Sequence, residues 1–188
     1  VPLTSDDGSI DRILVVVENI TERRETEKKV RESEEKHRQL FETMAQGVVL
    51  HDAEGKIVDA NRAACDILGL PRNQLLGRTP YDPRWKPIHE DGSPFDPSMM
   101  PSNIVLKTGK PVKDVTCGIY VPEEDEYRWV VIGSAPRFRS NETKPSLTMT
   151  VFTDITERKA AESALRESEE RFKALHNASF GGIAIHNN

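Results

Sequence analysis

At a fixed offset of 135 residues the chain matches itself, and this repeat limits what it can fold into more than any local motif does. Ile20-Thr21-Glu22-Arg23 returns as Ile155-Thr156-Glu157-Arg158, and Arg31-Glu32-Ser33-Glu34-Glu35 returns as Arg166-Glu167-Ser168-Glu169-Glu170. Gly47 and His51 return as Gly182 and His186, so the register holds from residue 20 to residue 51. One module plus one linker is therefore about 135 residues, an ordinary domain size. The repeat divides the 188 residues into the end of an upstream module (1–19), a linker (20–40), one complete module (41–156), a second linker (157–174) and the start of a further module (175–188).

The linkers are predicted helices. Residues 20–44 lack Gly and Pro and are dense in Glu, Lys, Arg and Gln, which lose little side-chain freedom in a helix. Thr26, Val30, Ser33, His37, Leu40 and Met44 follow alternating steps of four and three, the spacing that keeps one stripe on one side of a supercoiled helix. The second linker places Ala161, Leu165, Ser168, Phe172, Leu175 and Ser179 in the equivalent stripe. This seam mixes apolar with small and polar residues. It fits a solvated spacer, and it also fits a weak parallel dimer seam with two packings of similar energy.

Between the linkers the periodicity changes. Gly47 to His51 and Lys56 to Ala60 are predicted strands around the turn Asp52-Ala53-Glu54-Gly55. A short helix follows, with Asn61 as its N-cap, Ala64, Ile67 and Leu68 on one face, and Gly69 as its stop. Five prolines between residues 79 and 97 predict a loop, and a helix is expected over Ser98 to Thr108, stopped by Gly109. Three more strands are expected at Val112 to Val121, Tyr127 to Ala135 and Leu147 to Thr153. Strands interrupted by a helical segment predict an α+β fold, an antiparallel sheet with helices on one face.

This order of elements resembles a PAS domain. The resemblance rests on the Asp52-Ala53-Glu54-Gly55 turn followed by Asn61-Arg62-Ala63-Ala64, on the Gly92 loop, on Thr108-Gly109-Lys110-Pro111, and above all on Asp154-Ile155-Thr156-Glu157-Arg158. It covers residues 41–158, and it is closest to the multi-PAS sensor histidine kinases of bacteria and archaea. Leu3 to Arg23 resembles the last strand and exit motif of an upstream copy, although Glu18-Asn19-Ile20-Thr21 departs slightly from that motif. The resemblance implies a five-stranded antiparallel sheet with short helices on one face, flanked by coiled-coil-like helical linkers. It further implies signal transmission through Asp154, Ile155 and Thr156 into the following helix. Physically, Asp154 and Thr156 stand where a strand becomes a helix, so either side chain can cap that helix.

The residues themselves offer no catalytic site. His37, His51, His89, His176 and His186 show no metal-ligand spacing, and no nucleophile motif, phosphate-binding glycine loop or kinase signature occurs. No enzyme activity and no metal are expected of this segment, although the resemblance makes a histidine kinase the expected parent. A light-sensing flavin PAS domain carries a reactive cysteine where this chain has Gly77-Arg78-Thr79-Pro80, and a haem PAS domain carries a histidine on the helix read here as Ser98 to Thr108. Covalent flavin and haem are therefore not expected, and any other cofactor is left open.

A small-molecule ligand is open as well, with candidate walls at Trp85, Met99, Met100, Ile104, Val105, Trp129 and Val131. Each is equally suited to an ordinary core. Val130 and Ile132 are apolar too, so the inward face of that strand stays undecided. The net charge of −5 and pI near 5.6 argue against a nucleic-acid partner. No apolar run approaches a membrane span, and two cysteines, Cys65 and Cys117, suit a reducing, cytoplasmic setting. The expected partners are a second copy, through Val30, His37, Leu40, Met44, Leu165 and Phe172 of the linker seam, and neighbouring PAS domains. Two functions follow: a ligand-responsive sensor that shifts its exit helix, or a ligand-free dimerisation and relay module with a filled core.

Overall fold

A computed structural model describes residues 2–4, 10–13, 21–140 and 142–181. Two compact units divide at residue 40. In the first, β1 (Pro2–Thr4) pairs antiparallel with β2 (Ile10–Ile13), and α1 (Thr21–Thr43) begins. The upstream fragment, expected to supply one strand, thus holds a short hairpin; Glu18, Asn19 and Ile20 of its exit motif lie outside the described residues. The seam residues Val30 and Leu40 are exposed along α1, as the charged composition of that helix leads one to expect.

The second unit is built on a five-stranded antiparallel sheet, order β4-β3-β7-β6-β5. Its strands are β3 (Gly47–Asp52), β4 (Ile57–Ala60), β5 (Val112–Val121), β6 (Glu126–Arg137) and β7 (Leu147–Asp154). Between β4 and β5 run α2 (Arg62–Leu68), α3 (Arg72–Leu75) and α4 (Pro101–Thr108); α5 (Thr156–Gly181) leaves from the end of β7. β7 lies in the middle of the sheet, paired with β3 on one side and β6 on the other. The predicted α+β fold and five strands are found.

Local chemistry explains the element ends. Asn61 caps α2, its Oδ1 accepting from the Ala64 amide at 2.9 Å. Gly69 closes the helix in the left-handed region, φ 64°, where a side chain is costly. The fully buried Asn61 also ties three segments together: Oδ1 accepts from Val48 N–H (2.9 Å), and Nδ2 donates to the carbonyls of Phe41 (3.0 Å) and Gln46 (2.9 Å). One side chain thus satisfies four backbone groups and fixes where α1 ends and β3 starts.

The helix expected over Ser98 to Thr108 divides. Pro97–Met99 forms one 3₁₀ turn, and α4 starts afresh at Pro101. The ring of Pro101 excludes helical backbone from the residue before it, and Met100 is accordingly extended at φ −58°, ψ 135°. The proline-rich stretch is held as well: Ile88 bridges both Pro94 and Gly118 of β5, and the Tyr120 amide donates to the Trp85 carbonyl at 3.0 Å.

Candidate functional site

Side chains on a strand alternate between its faces, and directly paired residues share a face. On the face turned towards the helices, β7 presents Thr148, Thr150 and Phe152, all buried. Across from them β3 places His51 opposite Thr148, Val49 opposite Thr150 and Gly47 opposite Phe152. On the other side β6 sets Ser134 opposite Thr150 and Ile132 opposite Phe152. The inner face is therefore apolar around Phe152 and polar around Thr150. At Gly47 no side chain fits, since a Cβ there would stand 2.4 Å from the Phe152 ring.

A cavity of about 80 Å³ lies between this face and the helices. The sheet contributes Val49, His51, Ile57, Ile119, Ile132, Thr150 and Phe152; Leu68 of α2, Pro101 and Ser102 of α4, and Thr79, Pro80, Trp85 and Met100 complete the wall. Trp85 is fixed from behind: its indole N–H donates to the Thr79 carbonyl at 3.1 Å, and the Arg78 guanidinium lies 5.9 Å over its ring. Arg78 is itself paired with Asp82 at 2.7 Å, both side chains nearly buried.

Beside the largely apolar cavity a polar chain crosses three strands, and of its members His51 and Thr150 line the wall. Ser134 Oγ and Thr150 Oγ1 are 2.8 Å apart, and Thr150 Oγ1 lies 3.4 Å from His51 Nδ1. Burial lowers the His51 pKa from 6.5 to about 4, against the opposing pulls of the Thr148 backbone and the Asp52 charge, so the imidazole is neutral at pH 7. Thr148 Oγ1 is buried without a hydrogen-bond partner.

Of the residues expected to form a pocket, Trp85 and Met100 line the cavity. Val105 is fully buried and Ile104 half-buried, but neither reaches the cavity wall. Met99 is 56% exposed, because the 3₁₀ turn sends Met99 and Met100 in different directions. Trp129 and Val131 belong to the opposite face of β6: Val130 and Ile132 are the buried pair, and the two-residue period places their neighbours outside. His89 is exposed and stacks on Phe95 with ring centroids 4.6 Å apart. His51, Thr150, Ser102 and Thr79 were missed as wall residues. The available signal was the alternation Val49-x-His51 and Thr148-x-Thr150-x-Phe152, together with the return of His51 as His186, which lies outside the described residues.

Two residues beyond Phe152 the strand becomes α5. Asp154 Oδ1 accepts from the Thr156 amide at 2.8 Å, and Thr156 Oγ1 accepts from the Trp129 amide at 2.9 Å. The Ile155 amide donates to the Trp129 carbonyl at 2.8 Å, and Ile155 is buried. Lys159, one turn on, sits 4.9 Å over the Trp129 ring and pairs with Glu90 of the proline-rich loop. Further along, Leu165 and Phe172 are exposed.

Comparison with known proteins agrees with this architecture. Residues 35–97 match the family model described as PAS domain. The PAS domain of an HTR-like protein from Haloarcula marismortui superposes with a TM-score of 0.53 at 18% identity, covering 70% of this chain and 99% of that one. Sporulation kinase E of Bacillus subtilis (strain 168) is 27% identical over 173 residues, which is 92% of this chain and 21% of that protein. Sensor protein TdiS of Thauera aromatica is 26% identical over 135 residues, 72% of this chain and 24% of that protein. The chain thus spans about a quarter or less of the curated relatives it matches. By its family match, its five-stranded sheet and its helical flank, this chain carries a PAS domain.

Proposed function

We propose that the domain is a ligand-responsive sensory module of a longer, kinase-like signalling protein, and that it couples occupancy of its cavity to the exit helix through Asp154, Ile155 and Thr156. The observation that carries this reading is that Phe152 is both a wall of the cavity and two residues from the cap of α5. Displacing Phe152 pulls on the strand that ends at Asp154. Trp129, bonded to both Ile155 and Thr156, shares β6 with the cavity residue Ile132, so a second strand reaches the same joint. A helix cap is worth about 1 kcal/mol, enough to bias two nearly balanced packings of a helix. The kinase setting is suggested by sporulation kinase E. In this reading α1 and α5 join two copies through Val30, His37, Leu40, Met44, Leu165 and Phe172. The segment itself performs no catalysis.

The modest cavity favours a second reading, a ligand-free relay and dimerisation module whose core is nearly filled. Native mass spectrometry of the 188-residue chain purified from cells, with a denatured control, separates the two. A non-covalent mass lost on denaturation is the outcome expected for a sensor. A bare mass that stays bare after incubation with cell metabolites would favour the relay module.

A further inference from the structure

Resting on the sensory reading, we propose that the cavity takes an uncharged molecule of about three or four non-hydrogen atoms with one hydrogen-bonding group, of the class of short-chain alcohols and ketones, and that His51 and Thr150 read that group.

Size comes first. A cavity of about 150 Å³ holds benzene, with six ring carbons. The cavity here is about 80 Å³, roughly half that, so with its walls in place it buries about three or four non-hydrogen atoms. Those walls are held: Trp85 is bonded to Thr79 and covered by Arg78, and Pro101 starts a helix whose next residue, Ser102, is buried.

Charge comes second. No wall residue carries a fixed charge, and His51 is kept neutral at pH 7 by its burial. Arg78, the nearby buried cation, is already neutralised by Asp82 and lies behind the indole, outside the wall. An anion or cation entering here would lose its water with nothing of opposite sign to replace it.

Polarity comes third. A purely apolar ligand would fit most of the wall but would leave the His51 and Thr150 end unused. Thr150 Oγ1 is already bonded to Ser134 Oγ, and His51 lies against the Thr148 backbone, but the 3.4 Å separation between His51 and Thr150 is long for a hydrogen bond, so the hydroxyl and the second imidazole nitrogen each keep capacity for a ligand placed beside them. A neutral imidazole has one N–H and one acceptor nitrogen, and a hydroxyl can donate and accept, so the pair suits either an alcohol or a carbonyl. The recurrence of Gly47 and His51 as Gly182 and His186 is independent of the geometry: among the residues repeated are the one that makes room for Phe152 and the one that supplies the polar group.

The test uses four probes of four non-hydrogen atoms each: acetone, isopropanol, acetate and isopropylammonium. The full 188-residue chain is titrated at pH 7.5, following the methyl signals of Ile57, Ile119 and Ile132, the His51 ring and the amides of residues 154–159. The expected result is saturable binding of acetone or isopropanol at least tenfold tighter than either ion. Thr150→Val and His51→Leu, each judged on whether its methyl spectrum stays native, should weaken that binding about fivefold to tenfold. Equal binding to both variants overturns the assignment of His51 and Thr150. If acetate or isopropylammonium binds as tightly, the ligand class is wrong while a sensory cavity survives. If no probe moves the cavity signals, the inference falls, and the sensory reading is left to the mass measurement. If acetone moves the cavity but not residues 154–159, the ligand class stands and the coupling to α5 falls.

Discussion

The sheet domain and the long helices treat their apolar residues in opposite ways. In the sheet domain Val49, Leu75, Val105, Cys117 and Val130 are each 2% exposed or less, whereas Leu165, Phe172 and Leu175 of α5 are each more than 60% exposed. The helices rely on ion pairs between successive turns: Arg23–Glu27, Lys28–Glu32 and Arg31–Glu35 on α1, and Arg158–Glu162, Arg166–Glu170 and Glu167–Arg171 on α5. Such exposed pairs contribute about 0.3–0.5 kcal/mol each, so the helices are marginal where the sheet is secure. A firm core beside a marginal exit is what the proposed coupling of the cavity to α5 would require.

The sharpest way to break that contrast is to attack the firm side at Asn61. Asn61→Leu removes the acceptor of two buried amides and the donor to two carbonyls at once. Buried groups left unpaired cost about 1–3 kcal/mol each, with some relaxation, so a loss of about 4 kcal/mol is expected in urea unfolding. A loss below about 1 kcal/mol would mean that the core does not depend on this joint.

A second test is pH. His51 titrates near 6.5 unfolded and near 4 folded, so between these values the unfolded chain holds a proton that the folded chain refuses. Stability is therefore fully present above about pH 6.5 and falls as pH drops towards 4, by about 3 kcal/mol from this group. Carboxylates titrating below pH 5 add their own slope, so the comparison is with His51→Phe, whose unfolding midpoint should be flatter between pH 6.5 and 5. Parallel curves for the two proteins would show that the imidazole is less buried than its place on β3 implies.

Where single residues have stereochemical reasons to stand, the sequence was legible: Asn61 and Gly69 bound α2, Gly109 ends α4, and the turn after Asp52 closes the β3–β4 hairpin. Local pattern could not choose the inward face of β6, because Trp129 to Ile132 are all apolar. Trp129 is apolar on the outer face for a reason that only the fold supplies, the Lys159 side chain laid over it. The cavity was half legible. Trp85 and Met100 stand out by size, but the pairing of His51 with Thr150 joins residues 99 apart and depends on strand register, which no short motif carries.

On the marginal side, Asp154→Ala deletes the bond to the Thr156 amide and should cost about 1 kcal/mol. Its place matters more than its size. Hydrogen exchange should quicken in the first turn of α5 while amides of β3 and β7 keep their protection. Loss of protection throughout the sheet would mean that the exit is part of the core and cannot move separately.

The smallest effect on stability is expected within α5 itself. Leu165→Gln and Phe172→Gln replace side chains that are 63% and 69% exposed, so unfolding of the sheet domain should shift by less than about 0.5 kcal/mol. Their effect on assembly should be far larger if the stripe containing Leu165 and Phe172 is a dimer seam, because each exposed apolar side chain then becomes a buried one in the pair. Sedimentation of the double variant should show dissociation at least tenfold easier than for the parent chain, with an unchanged melting curve for the sheet. An unchanged association constant would make α5 a solvated spacer. The marginal stability of the helix would then act on whatever follows it in the chain, through its direction of exit, without a second copy.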